Sequence, residues 1–160
     1  MTIITVTAPH GRLSVAQRRL LAKTLTDAVL EPEVGQPSPA ARAGFQVHFR
    51  ELPADCMAIG GELLSDQPRD IMTVNIAVMD AAWPAKLRER VISGVLARLA
   101  EACEMPKPSA NWWVTFQVID EGSWGSRGGV VSILQLLDSG AFTAERIRAI
   151  RDAIAAPGSS

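Results

Sequence analysis

The same succession of signals occurs twice in this chain, about seventy residues apart: a β-branched strand, an amphipathic helix, a second strand and adjacent glycines. In the first copy Thr2 to Ala8 alternates as a strand and is stopped by Pro9, His10 and Gly11. Ser14 then opens a helix with Gln17 in the capping-box position. Leu21, Ala22, Leu25, Ala28 and Val29 fall on one side of that helix at helical spacing. The helix is expected to fade near Leu30 to Pro32, with a Pro-, Gly- and Ala-rich loop from Glu33 to about Ala43. Phe45 to Leu52 reads as a strand with Phe45, Val47 and Phe49 on one side and Gln46, His48 and Arg50 on the other. Ile59-Gly60-Gly61-Glu62 follows as a backbone turn that needs the conformational freedom of glycine.

The second copy begins with Ile71 to Val78, where Met72, Val74, Ile76 and Val78 face one way. Pro84 suits the first turn of a helix whose apolar face is Val91, Ile92, Val95, Leu96, Leu99, Ala102 and Cys103. Trp113 to Ile119 is the next strand, and Gly122 to Gly129 the next glycine-rich turn. The halves share a phrase, Phe45-Gln46-Val47 against Phe116-Gln117-Val118. Thr143 caps a last short helix bearing Ile147, Ile150 and Ile154. Right-handed crossovers put both long helices on one face of a common sheet. The expected class is therefore α/β (α+β): two fused β-α-β units forming a four-stranded sheet with two helices on one face, plus a C-terminal helix. One domain over 1–160 is expected, with units at about 1–66 and 70–137 and the last helix at about 143–155. The other sheet face carries Thr5, Thr7, Gln46, His48, Thr73, Asn75, Thr115 and Gln117, which suits solvent or a neighbouring subunit.

Net charge of -1 gives no basic field for nucleic acid or anionic membrane, and 48% apolar with 21% charged residues is an ordinary globular balance. No apolar run is long enough to span a membrane, and the start reads as a strand rather than a signal peptide, so a reduced, cytoplasmic chain is expected. Ala155 to Ser160 reads as a frayed tail. The two histidines are far apart and the two cysteines, Cys56 and Cys103, have no metal spacing; no metal or other cofactor is expected. Gly125 to Gly129 lacks the lysine-serine end of a phosphate loop.

Thr2 to Arg12, then Leu13-Ser14 and a helix through Leu25-Thr26-Asp27-Ala28, resembles the tautomerase superfamily. Arg50-Glu51-Leu52-Pro53 through Ala58-Ile59-Gly60-Gly61-Glu62-Leu63 is similar to the second strand and glycine turn of 4-oxalocrotonate tautomerase. The duplicated length resembles the fused members, cis-3-chloroacrylic acid dehalogenase and malonate semialdehyde decarboxylase, and Trp124-Gly125 looks like the decarboxylase's corresponding turn. The resemblance covers about residues 2 to 137 and implies a homotrimer that binds a small carboxylate or carbonyl compound. It also implies keto-enol (isomerase) chemistry at an N-terminal proline, whose amine is the acid or base.

In this chain the proline's position is held by Thr2, as a terminal amine, as an activated hydroxyl, or as a plain strand residue. Arg12 aligns with the family's carboxylate-binding arginine; a second such arginine falls on Gln46, and the aromatic of the apolar wall on Met57. The dehalogenase's histidine falls on Val29, and the arginines after the third strand fall near Asp80 and Trp83, leaving no cation there. Asp120 and Glu121 lie where that enzyme has its water-activating carboxylate. His48 with Arg50, His10, the aromatic Trp112, Trp113 and Trp124, and Arg127 as a substitute cation complete the candidates. Weak or altered tautomerase activity, a non-catalytic trimeric binding or scaffold role and, last, hydrolysis with Thr2 as an N-terminal nucleophile are the functions these residues leave open.

Overall fold

The computed structural model describes residues 1–126 and 128–156; Arg127 and the end of the expected tail lie outside the described residues. Strand β1 (Thr2–Pro9) leads into helix α1 (Val15–Val34), a short α2 (Pro39–Arg42) and β2 (Phe45–Leu52). A hairpin of β3 (Ala58–Ile59) and β4 (Glu62–Leu63) follows. The second copy repeats the order with β5 (Met72–Met79), α3 (Ala85–Ala102), β6 (Trp112–Ile119) and the hairpin β7 (Gly125–Ser126) and β8 (Gly129–Val130). Two helices end the chain, α4 (Ile133–Leu137) and α5 (Ala144–Ala155). Neither α2 nor α4 is foreseen by periodicity, because each is too short to show any.

The four long strands form one sheet in the order β2-β1-β5-β6. Within each copy the strands are parallel, and the copies meet through antiparallel β1 and β5, with Thr2 opposite Val78 and Thr7 opposite Thr73. Helices α1 and α3 pack side by side on one face. Ile4, Val6, Val74, Ile76 and Val78 meet Leu21, Leu25, Val29, Val91, Val95 and Leu99 there in a sealed core. The other face exposes Gln46, His48, Arg50, Asn75, Thr115 and Gln117, with Trp113 60% exposed among them. The alternation of strand side chains produces this division without further help.

Helix α1 begins as expected: the Ser14 hydroxyl accepts from the Gln17 N–H at 3.2 Å, and the Gln17 side chain accepts from the Ser14 N–H at 2.8 Å. Its end differs from the expectation. The helix runs through Pro32 to Val34, so Glu33 belongs to its last turn and not to a loop. Proline forfeits one hydrogen bond, but burial of Pro32, Glu33 and Val34 and a left-handed cap at Gly35 hold the turn together. Gly35 has φ +85°, and a Cβ there would lie 2.9 Å from Arg146 Cγ and against the Thr143 hydroxyl. The Thr143 N–H also donates to the Val34 carbonyl at 2.8 Å, so the start of α5 is seated on the end of α1. Gly35→Ala is expected to lower unfolding free energy by about 2 kcal/mol, through both the positive φ and the lost seat for α5. A denaturation midpoint equal to wild type would show that this junction carries no stability.

Candidate functional site

The extension of α1 brings Glu33, only 2% exposed, to the beginning of β1. Thr2, 1% exposed, donates its hydroxyl to Glu33 Oε2 at 3.2 Å. The terminal ammonium of Met1 lies 3.7 Å from Glu33 Oε1. Backbone bonds fix the terminus in register: the Thr2 N–H donates to Gly44 O at 2.9 Å and the Met79 N–H to Met1 O at 3.2 Å. A carboxylate taken out of water resists ionisation. Burial accordingly pushes the Glu33 pKa up, against the pull of the terminal ammonium, the Thr2 hydroxyl and Arg146.

Arg146 comes from α5. Its Nε–H donates to Glu33 O at 2.9 Å, and Nη2 donates to the carbonyls of Ala81 and Ala82. The guanidinium lies over the Trp83 ring at 6.0 Å, while the indole N–H donates to Met79 O at 2.9 Å. Arg146 thus places a cation from the last helix against the turn after β5. Arg146 and Glu33 are the two residues that sequence reasoning missed. Glu33 does continue the stripe Leu25, Val29 at steps of four, a signal visible once the helix is carried through Pro32. Arg146 stands four residues before buried Ile150 and so shares its inward face.

Glu33 and Met1 line a cavity of about 520 Å³, walled by Phe45, Val130, Leu136 and Phe142. A smaller cavity of about 350 Å³ adjoins on the other side of Met1 and is lined by Thr2, Gln46, Ile119, Trp124 and Ser126. The structure therefore gathers Thr2, Gln46 and Trp124 of the sequence-derived candidates at one end of the sheet. It does not bring Arg12 to them. Arg12 follows the far end of β1, roughly 23 Å of strand away. There it holds Asp70 bidentately at 2.6 and 2.9 Å and lies over the Trp112 ring at 5.7 Å. That pairing raises the Arg12 pKa and lowers that of Asp70.

The remaining candidates have other surroundings. His48 is exposed on the open sheet face, with Nε2 3.0 Å from Gln46 Oε1. Met57 follows a 3₁₀ turn (Ala54–Cys56), and its carbonyl accepts from the Leu64 N–H at 2.9 Å. Neither residue lines the two cavities. Glu121 accepts the N–H of Ile133 at 3.0 Å and so anchors the start of α4. Arg127 lies outside the described residues. His10 is exposed beside Glu51 at 3.8 Å. The three tryptophans do not form one wall: Trp112 is buried, Trp113 faces out from the open sheet face, and Trp124 borders the smaller cavity. Consecutive strand residues must point to opposite faces, which separates the first two.

The raised pKa of Glu33 has a definite sign in stability. Protonated Glu33 is favoured more in the folded than in the unfolded chain, so its contribution is full below the ordinary value of 4.5 and is lost as pH rises through the raised value. Wild type should lose stability relative to Glu33→Gln over that window, at up to about 1.4 kcal/mol per pH unit. Unfolding free energies of the two proteins at successive pH values measure it, and a constant difference would remove Glu33 as the titrating group.

No protein-family model matches the chain, and no curated protein matches it. Solved structures do. A native fused 4-OT aligns at TM-score 0.66 and 22% identity, over 80% of this chain and 94% of its own. A fused 4-OT solved as a symmetric trimer aligns at 0.65 and 20%, over 86% and 98%. N1, a member of the cis-3-chloroacrylic acid dehalogenase (cis-CaaD) family, aligns at 0.67 and 16%, over 94% and 99%. The sheet order, the paired helices and these alignments together establish the architecture: the chain has the fused, duplicated β-α-β fold of the tautomerase superfamily.

Proposed function

We propose that the protein is a tautomerase-superfamily isomerase that interconverts the enol and keto forms of a small carbonyl compound or enol acid, at the Glu33 end of the sheet. The observation that carries this reading is the buried Glu33 carboxylate facing the terminal amine and Thr2. Thr2 stands where the superfamily has its catalytic proline, and a second acid-base group beside it supplies what a missing secondary amine would leave undone. In the ketonisation direction Glu33 takes the enol hydroxyl proton while the terminal ammonium gives a proton to carbon. Proton return from Glu33 to the amine resets both groups. Burial raises the Glu33 pKa and so makes its carboxylate a stronger base for this exchange than an ordinary one. If the initiator methionine is removed, the amine belongs to Thr2, with an unperturbed value of about 7.7–8.0.

Glu33→Gln is expected to slow ketonisation of a small uncharged enol by about 10²–10⁴-fold, and Thr2→Ala by less, since it removes only a hydrogen bond to Glu33. Intact mass spectrometry identifies the residue that bears the amine. Equal rates for wild type and Glu33→Gln would falsify the mechanism.

The second reading is a trimeric binding or scaffold protein without turnover. It is favoured by the near-complete burial of Thr2 and by the engagement of Arg12 with Asp70. Absence of ketonisation in wild type, with no gain in Thr2→Pro, would select it. Both readings include a homotrimer, supported by the helix-free sheet face and by the symmetric trimer of a fused 4-OT. Trp113→Asp on that face is expected to shift the sedimentation coefficient toward the monomer, and an unchanged trimer would place the interface elsewhere.

A further inference from the structure

We infer that the ligand of the Glu33 cavity is an uncharged carbonyl compound with an apolar tail, a ketone or aldehyde with its enol, rather than a carboxylate. This inference narrows the proposed substrate and rests on that reading for the site. Among the described residues that line the cavity, Glu33 has the one charged side chain, and the terminal ammonium of Met1 is already paired with it. Arg146 approaches Glu33 from behind: its Nε and Nη2 are bound to three backbone carbonyls, and it is not a lining residue. The aligned family arginines are replaced by Gln46 and by the Asp80–Trp83 segment, and Arg12 is at the other end of the sheet.

A carboxylate entering this space would shed its hydration between low-dielectric walls without meeting a free cation among the described lining residues, because the Met1 ammonium is already engaged by Glu33. A carbonyl oxygen carries no such penalty, and Ser126, Gln135 and Ser139 on the wall include hydroxyl and amide groups suited to it. Phe45, Val130, Leu136 and Phe142 supply apolar surface for the tail, and about 520 Å³ is the size of an ordinary small-molecule site.

The test uses a pair of nearly isosteric probes, 4-phenylbutan-2-one and 3-phenylpropanoate, titrated calorimetrically into the full chain at neutral pH. The ketone is expected to bind at least about tenfold more tightly. Glu33→Gln should narrow the ratio by releasing the Met1 ammonium to meet the carboxylate, whereas Glu33→Asp, which keeps a carboxyl partner for that ammonium, should retain it. Arg127→Ala should leave the ratio unchanged. The inference is overturned if the propanoate binds as tightly as the ketone, if neither binds, if Glu33→Gln leaves the ratio intact, or if Arg127→Ala alters it. Exchange of the hydrogens α to the carbonyl of 4-phenylbutan-2-one with deuterated solvent, followed by NMR on the same samples, reads turnover and separates the two failures. Turnover without charge selectivity removes this inference alone; charge-selective binding without turnover removes the catalytic reading alone.

Discussion

The antiparallel pairing of β1 with β5 makes one sheet out of two copies, and the position of every candidate group follows from it. Each copy alone is two parallel strands under one helix, with a bare strand edge and an unmatched helix flank. Joining the copies through their first strands places α1 against α3 and seals one core. It also sends the starts of β1 and β5 to opposite ends. The beginning of β1 meets the end of β5 and the start of β2, and the end of β1 meets the start of β5. Thr2 and Arg12 are consequently kept apart within one protomer by the length of a strand.

The Glu33 cluster shows how the fold accommodates a group that burial disfavours. An isolated carboxylate in a dry interior would be driven neutral. Here the Thr2 hydroxyl and the terminal ammonium address its two oxygens, and Arg146 binds its backbone carbonyl. The last of these depends on α5, whose first turn is fixed on Val34 and closely approaches Gly35. Helix α5 thus helps to hold Glu33 in place beside the start of β1. A substitution that loosened α5 would be felt at Glu33 before it reached the sheet.

Much of the scaffold was legible because it repeats local patterns. Strand alternation in Phe45–Leu52, the Ser14–Gln17 box and the glycine pairs each specify their own structure within a few residues. The candidates that line the smaller cavity belong to those same patterns: Thr2 at a strand start, Gln46 on an outward strand position and Trp124 beside a glycine turn. Glu33 was hidden by Pro32, which reads as a helix end although tertiary burial carries the helix past it. Arg146 and the Asp70 partner of Arg12 are long-range contacts with no local signature. The bond from the Ile133 N–H to Glu121 likewise joins residues with no shared local pattern.

Duplication also makes the two ends of the sheet chemically unequal. The pseudo-equivalent of Thr2 in the second copy is the start of β5, preceded by Asp70 and Ile71 inside a continuous chain. An interior residue has no free amine, so chemistry that needs a terminal amine belongs to the first copy alone. The other end is free of that requirement, and a carboxylate and a guanidinium, Asp70 and Arg12, satisfy each other there at the surface. At the Thr2 end the carboxylate is instead buried, and its nearest cation is the terminus itself. The same fold thus carries a part-buried, self-satisfied ion pair at one end and a fully buried carboxylate beside a cavity at the other. A pair still open to solvent is energetically modest, whereas a buried carboxyl group next to an apolar space is the arrangement in which a ligand or a proton can change the balance most.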